Sequence, residues 1–124
     1  MHKVLVVDDE QVIADTLCMI FTEEGFEAHA VYSSAEALVR ARELRPDFIV
    51  SDVILPGING IEAAVEICRF LPDCKVLLIS GQAATSDMLE KARSQGHEFE
   101  ILAKPVEPEL LIQRLRSGVK VSRA

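Results

Sequence analysis

Two adjacent aspartates interrupt the apolar start of this sequence, and a third aspartate ends another apolar run. Val4–Val7 leads directly into Asp8 and Asp9, and FIVS at 48–51 is followed by Asp52. Such charges add nothing to an apolar core, because Asp is almost never fully buried unless it is paired. Carboxylate oxygens are ligands for hard divalent cations, and an aspartate carboxylate can also act as a nucleophile. The three aspartates are therefore candidates for chemistry.

A hydroxyl group and an ammonium group end two further apolar runs. KVLLIS ends in Ser80, and FEILA at 99–103 is followed by Lys104 and Pro105. A lysine ammonium group can pair with a carboxylate or a phosphate oxygen, and a hydroxyl group can donate a hydrogen bond to either. Together with the aspartates, these groups have the chemistry that phosphoryl transfer requires, which is a positioned nucleophile and compensation of negative charge.

Short apolar runs alternate with segments of helical spacing, which indicates strands alternating with helices. We predict strands at residues 4–7, 26–31, 48–52, 75–80 and 99–103. We predict helices at residues 11–24, 35–44, 60–70, 84–95 and 107–117. Ser33 or Ser34 is the expected cap of the second helix. The expected stops, in helix order, are Gly25, Pro46, Pro72, Gly96 and Gly118.

Five consecutive strand–helix units predict an α/β fold with a parallel sheet and helices on both faces. Right-handed crossovers and the short length favour a doubly wound, flavodoxin-like (βα)5 sheet in the order 2-1-3-4-5. In that order strands 1 and 3 are neighbours, and ligands bind at the carboxyl ends of such strands. We therefore expect Asp8, Asp9 and Asp52 to share one crevice with Ser80 and Lys104.

Three carboxylates in one crevice repel one another. At an effective dielectric constant of about 20, two like charges about 4 Å apart cost about 4 kcal/mol. Lys104 alone cannot balance three negative charges, so either one carboxylate holds a proton or a divalent cation binds there. Mg²⁺ fits this crevice well, because it takes oxygen ligands and pairs with one or two carboxylates and a phosphate.

The composition is that of one compact globular domain, which we expect to span residues 1–124. Of the 124 residues, 49% are apolar and 27% are charged. The net charge of −7 argues against direct binding to nucleic acid, which requires a basic surface. No apolar run approaches the roughly 18 residues of a membrane span, and the first run ends in acid, so we expect a cytoplasmic protein without a signal peptide. The cysteine spacings match no zinc site, so we expect reduced, buried thiols at Cys18, Cys68 and Cys74.

Four sequence segments together carry a resemblance to a known family. They are VVDDE at 6–10, DVILPGING at 52–60, ISG at 79–81 and LAKP at 102–105. With these segments in this order, the chain resembles the receiver domain of two-component response regulators from Lys3 to about Gly118, in the single-domain, CheY-like form. The resemblance implies a phosphoacceptor that is not an enzyme in its own right.

The resemblance also implies a role for each acidic residue. Asp52 is the expected phosphoacceptor, which would take a phosphoryl group from a phosphohistidine and form an acyl phosphate. Asp9, Asp52 and the backbone carbonyl of Ile54 are the expected Mg²⁺ ligands. Asp8 is the expected partner of a metal-bound water.

Four further residues are implied in the phosphoryl site and the conformational switch. Ser80 would bond the phosphoryl group, and Lys104 would pair first with the carboxylate and then with a phosphoryl oxygen. Pro105 corresponds to a proline whose preceding peptide is usually cis in the family. Ile101 occupies the position of the family's switching aromatic residue. We therefore expect the response to run through Ser80, the segment 81–84 and the fourth helix.

The implied partners are a sensor histidine kinase or phosphotransfer protein and a downstream protein target. We expect no direct nucleic-acid or membrane partner and no output domain, because the sequence stops soon after the last helix. A partner would recognise the phosphorylated form through the face formed by helix 4, strand 5 and helix 5. The same face could also form a homodimer.

Three other readings of the acidic crevice remain open. A Mg²⁺-dependent phosphohydrolase with an aspartyl-phosphate intermediate would need a second acid, commonly two residues after the nucleophile, where this chain has Ile54. A scaffold that is never phosphorylated would not need the complete set of acids, hydroxyl group and lysine. A nucleotide-binding flavodoxin-like module fits less well, because the loop after the first strand is acidic.

Overall fold

The computed structural model describes residues 2–81, 86–97 and 99–121. Over these ranges the chain alternates five strands with five helices. The strands are β1 (Lys3–Val7), β2 (Glu27–Val31), β3 (Phe48–Asp52), β4 (Lys75–Ser80) and β5 (Glu100–Ala103). The helices are α1 (Gln11–Glu23), α2 (Ser34–Leu44), α3 (Gly60–Phe70), α4 (Ser86–Ser94) and α5 (Pro108–Val121).

The strands form one parallel sheet in the order β2-β1-β3-β4-β5, which confirms the predicted topology. The register of the central strands brings their carboxyl ends to the same level. Val7 pairs with Ser51, so the residues that follow them, Asp8 and Asp52, leave neighbouring strands side by side. Ser80, the last residue of β4, pairs with Ala103.

The central strands are buried on both faces of the sheet, which explains why they are mostly apolar. Successive residues of a strand point to opposite faces. Leu5 and Val7 of β1 therefore pack in one core cluster with residues of α2, α3 and α4. Val4 and Val6 pack in a second cluster with residues of α1 and α5.

One predicted helix stop is wrong. Helix α5 runs through Gly118 to Val121 instead of ending before the glycine. Gly118 lies against Phe48 of β3, and a Cβ atom on it would come within 2.7 Å of Phe48 Cε1. The glycine therefore permits close packing of helix on sheet.

The helix starts show which residues act as N-caps, including the choice between Ser33 and Ser34 that the sequence left open. Ser33 is the N-cap of α2, because its Oγ accepts a hydrogen bond from the Glu36 amide at 3.2 Å. Neither Asp8 nor Asp9 caps α1, whose N-cap residue is Glu10 and whose cap has no side-chain hydrogen bond. Capping therefore does not account for the aspartate pair.

Other boundaries differ from the predictions by a few residues. Helix α2 begins at Ser34 and is followed by Arg45 in the left-handed region, with φ of 51°, before Pro46. Residues 84 and 85, the predicted start of the fourth helix, lie outside the described residues. No helix in the described part of the chain has the length and apolar character needed to cross a membrane.

The three cysteines are free thiols. Cys74 is buried, as predicted, whereas Cys18 and Cys68 are only partly buried. Burial raises the pKa of the Cys74 thiol to about 12 and that of Cys18 to about 11. At neutral pH these thiols are therefore protonated and behave as small apolar groups.

Candidate functional site

Three carboxylates meet at the carboxyl edge of the sheet. Asp8 and Asp9 follow β1, Asp52 ends β3, and the pairing of these two strands brings the side chains together. One carboxylate oxygen from each residue lies within 4.8 Å of the others. The predicted acidic cluster is therefore present.

Asp8 is a buried acid, with 5% of its surface exposed. Its Oδ1 accepts a hydrogen bond from the Glu10 amide at 2.9 Å. Burial raises the pKa of the Asp8 carboxyl, the bond from Glu10 lowers it, and the neighbouring charge of Asp52 raises it again; the net direction is upward. Its ionised form is therefore disfavoured in the folded protein without a further positive charge.

Asp52 forms an ion pair with Lys104. The Lys104 ammonium group donates to Asp52 Oδ2 at 2.8 Å, and the carboxylate is almost fully buried. The hydrogen bond to Asp52 raises the pKa of Lys104 above its ordinary value. The Lys104 backbone amide donates a hydrogen bond to the Ser80 carbonyl at 2.9 Å, and the Lys104–Pro105 peptide is cis.

The loop after Asp52 folds back tightly over the strand end. The Val53 amide donates to the Ile79 carbonyl at 3.0 Å, and the Gly60 amide donates to the Val53 carbonyl at 2.7 Å. A Cβ atom on Gly60 would come within 2.1 Å of the Asp52 carbonyl oxygen. Only glycine fits there, so the start of α3 is pressed directly against the backbone of Asp52.

The cluster is suited to a hard divalent cation. The oxygens of a six-coordinate Mg²⁺ lie about 2.0 to 2.1 Å from the ion, hence about 3 to 4 Å from one another. The three carboxylate oxygens already lie within 4.8 Å of each other, and one lysine faces three acids. The Ile54 amide donates to Asp52 Oδ1 at 3.3 Å, which keeps the Ile54 backbone beside the cluster. The donor set therefore fits Mg²⁺.

The remaining predicted residues lie around the same crevice or next to it. Ser80 is 5% exposed at the end of β4, where the backbone bond from Lys104 joins β4 to β5. Ile101 lies on β5, partly buried, and packs with Phe99 against the core cluster beside α2, α3 and α4. Residues 82–84 of the expected switch segment lie outside the described residues.

Three residues that support the loop after Asp52 were not assigned from the sequence. Ser51, 3% exposed, donates to the Asp52 carbonyl at 2.9 Å. Ser34, 2% exposed, donates to the Pro56 carbonyl at 2.9 Å. Gly60 was predicted only as the first residue of the third helix, not as a residue pressed against Asp52. A serine inside the apolar run of β3 was the available signal for Ser51; Ser34 had none, since its partner is 22 residues away.

Known proteins share this chain's sequence pattern. Residues 4–116 match the family described as response regulator receiver domain. The DNA-binding response regulator MtrA of Mycolicibacterium paratuberculosis is 31% identical over 122 residues, which cover 96% of this chain and 52% of that protein. The chain thus spans about half the length of such relatives. The chemotaxis protein CheY of Thermotoga maritima is 30% identical, and the match covers 98% of each protein.

The fold is shared as well. A response regulator receiver domain protein from Clostridium thermocellum superimposes with a TM-score of 0.87 at 26% identity, over 99% of this chain and 98% of that one. The family match covers nearly the whole described sheet and includes all three aspartates, Ser80 and Lys104. The chain belongs to the response regulator receiver domains of two-component systems.

Proposed function

We propose that this chain is a phosphoacceptor switch in which Asp52 receives a phosphoryl group from a phosphohistidine of a histidine kinase or phosphotransfer protein. The observation that carries the proposal is the placement of the buried Asp52 carboxylate. It lies between a lysine ammonium group at 2.8 Å and two further carboxylates whose oxygens are within 4.8 Å. This arrangement combines a nucleophile with groups that manage negative charge.

The transfer is a substitution at phosphorus. An Asp52 carboxylate oxygen attacks the phosphorus, the bond to the donor imidazole nitrogen breaks, and an acyl phosphate forms. Lys104 exchanges its carboxylate partner for a phosphoryl oxygen, and the Ser80 hydroxyl donates to another. Such a step mainly requires positioned groups and compensation of charge. The Ser80 and Lys104 side chains are well placed for this, because each lies at the carboxyl end of a strand of the sheet.

A bound Mg²⁺ would supply positive charge that lets an anionic phosphoryl group approach an anionic carboxylate. Asp9, Asp52 and the Ile54 carbonyl would hold the ion, and Asp8 would orient water bound to it. Asp8 suits this second role because it is buried and its Oδ1 is already engaged by the Glu10 amide. Asp9 is exposed, which leaves its oxygens accessible to an arriving ion.

The output is proposed to be altered binding of a downstream protein. Phosphorylation adds about −1.5 to −2 charges at neutral pH. The face formed by α4, β5 and α5 adjoins Lys104 and is the proposed binding surface for the downstream protein. The same face is the proposed contact of a homodimer. Since Ile101 replaces an aromatic ring, the change is proposed to pass through Ser80, residues 81–84 and α4.

A phosphohydrolase is not favoured by the crevice. The side chain of Ile54, two residues after Asp52, is aliphatic and half exposed at 50%. It offers neither acid nor base to a water molecule that would attack the acyl phosphate. The role proposed here is therefore that of a signalling protein.

The test is intact-mass measurement after incubation with acetyl phosphate and Mg²⁺. We expect the wild-type chain to gain the mass of one phosphoryl group and Asp52→Asn to gain none. Asp73→Asn is the matched control, because Asp73 is an exposed aspartate in the turn before β4, at the opposite edge of the sheet. Uptake by Asp52→Asn equal to that of the control would show that another residue is the acceptor.

A further inference from the structure

Ser34 is a buried polar residue that helix formation does not explain. It is the first residue of α2 and is 2% exposed. The cap of that helix is the preceding Ser33, whose Oγ accepts from the Glu36 amide at 3.2 Å. A serine hydroxyl buried next to a cap that is already made needs a different partner.

That partner lies in the loop after the proposed acceptor. Ser34 Oγ donates to the Pro56 carbonyl oxygen at 2.9 Å. Gly57, with φ of 84°, packs against the same hydroxyl group, and a Cβ atom on it would come within 3.2 Å of Ser34 Oγ. The start of α2 and the loop between β3 and α3 are therefore fitted to each other around this oxygen.

The bond from Ser34 holds the middle of that loop. Hydrogen bonds close the loop at its two ends. The Val53 amide donates to the Ile79 carbonyl of β4, and the Gly60 amide donates to the Val53 carbonyl. Between those ends, the side chain of Leu55 is buried in the core. Within the described ranges, the Ser34 bond is the one hydrogen bond that ties the backbone of residues 55–58 to another element.

Few torsions separate the bonded carbonyl from the proposed metal ligand. The proline ring fixes φ of Pro56, and the residue before a proline is restricted to extended conformations. Leu55 is that residue, and its side chain is also buried. Fixing the Pro56 carbonyl therefore limits how the peptide between Ile54 and Leu55, which carries the Ile54 carbonyl, can rotate.

We propose that Ser34 is a positioning residue of the metal site, whose hydroxyl holds the loop after Asp52 so that the Ile54 carbonyl is available as a Mg²⁺ ligand. This inference rests on the proposed function, since it assigns a support to the metal site named there. Removing a group that orients a metal ligand through a hydrogen bond typically weakens metal affinity by 10- to 100-fold. For a neutral hydroxyl group that acts through the backbone, we expect the low end of that range.

The test compares Ser34→Ala with Ser33→Ala. Each change removes one hydroxyl group at the start of the same helix, but the Ser34 hydroxyl bonds to the Pro56 carbonyl of the loop, whereas the Ser33 hydroxyl bonds to Glu36 within the helix. Calorimetric titration of the unphosphorylated protein gives the Kd for Mg²⁺, and thermal unfolding gives Tm. We expect Ser34→Ala to raise the Kd about tenfold. Ser33→Ala should lower Tm through loss of the cap and leave the Kd within about twofold of wild type.

A second readout reports the loop itself. In ¹⁵N relaxation measurements on the metal-free protein, Ser34→Ala should lower the order parameters of the Leu55 and Gly57 amides, whereas Ser33→Ala should not. An unchanged Kd in Ser34→Ala, or an equal rise in both variants, would overturn the role of Ser34 and leave the proposed function standing. Absence of Mg²⁺ uptake by the wild-type protein would overturn the metal site itself and the role of Ser34 with it.

Discussion

The charged groups of the crevice influence one another strongly because they lie close together. They are the carboxylates of Asp8, Asp9 and Asp52 and the ammonium group of Lys104. Three acids with oxygens within 4.8 Å face a single ammonium group, so the folded protein without metal keeps an excess of negative charge in a partly enclosed place. At that separation and an effective dielectric constant of about 20, each pair of charges repels by about 3 to 4 kcal/mol. Site geometry that suits a cation therefore costs stability when the cation is absent.

Asp8→Asn should stabilise the metal-free protein. Because the pKa of Asp8 is raised in the folded state, stability falls as the pH rises above the ordinary value of 3.8, and the Asp8 carboxyl therefore costs stability at neutral pH. An asparagine oxygen can still accept the Glu10 amide, so that hydrogen bond is kept. We expect urea unfolding in EDTA at neutral pH to show a gain of about 1 kcal/mol or more.

The control for this prediction is Asp73→Asn, which neutralises an exposed aspartate remote from the site. Its free energy of unfolding should change by less than about 0.5 kcal/mol, because surface substitutions usually do. The gain in Asp8→Asn should shrink or reverse with excess Mg²⁺, since the variant loses affinity for the ion. A loss of stability in EDTA would contradict the assignment of repulsion at Asp8.

The residues of the acidic cluster could be predicted because topology alone brings them together. Each lies at the carboxyl end of a recognisable strand or just after it, and the strand order places Asp8 beside Asp52 without any knowledge of loop conformation. Ser34 could not be predicted in the same way. Its contact with Pro56 depends on the path of an irregular loop, and the sequence offered it only as one of two possible caps.

At the scale of elements, the junction between β3 and α3 allows almost no change. Gly60→Ala would put a Cβ atom within 2.1 Å of the Asp52 carbonyl oxygen, an atom of the backbone that cannot rotate away. The better helix propensity of alanine, about 1 kcal/mol, is smaller than the cost of such a clash, about 3 kcal/mol or more. We expect urea unfolding to show a net loss of at least about 2 kcal/mol.

Gly81→Ala is the matched control for Gly60→Ala. A Cβ atom there would meet Lys104 Cδ at 3.5 Å, an ordinary contact, and Gly81 does not have positive φ. Its stability should change by less than about 1 kcal/mol. If both variants lose the same stability, close packing of α3 on Asp52 is not what makes Gly60 necessary.

The strands were easier to predict than the helix ends. A strand buried on both faces is mostly apolar, so β1, β3 and β4 are visible as nearly continuous apolar runs. A glycine near a helix end is ambiguous, because it can stop a helix or permit close packing. Gly118 does the second, and its partner Phe48 lies 70 residues earlier in the sequence, where no local pattern can reveal it.

At the scale of the whole molecule, charge and fold act in the same direction. The chain carries a net charge of −7, and the sheet gathers three of its acids at one edge. Any salt should therefore stabilise the protein somewhat by screening, and a divalent ion that binds at the proposed site would stabilise it further. Replacing Asp9 separates the two contributions. Loss of one exposed acid changes the net charge little, so screening should remain, whereas binding at the proposed site should lose one of its ligands.

Magnesium should stabilise the protein more than sodium at equal ionic strength. We expect Tm in about 10 mM MgCl₂ to exceed Tm in about 30 mM NaCl, which has the same ionic strength. Binding to the folded state alone adds about 1.4 kcal/mol for each tenfold excess of ion over its Kd. Differential scanning fluorimetry of the wild type and Asp9→Ala separates the two effects. The difference between the salts should vanish in Asp9→Ala, and an equal difference in both proteins would mean that screening, not a site, explains it.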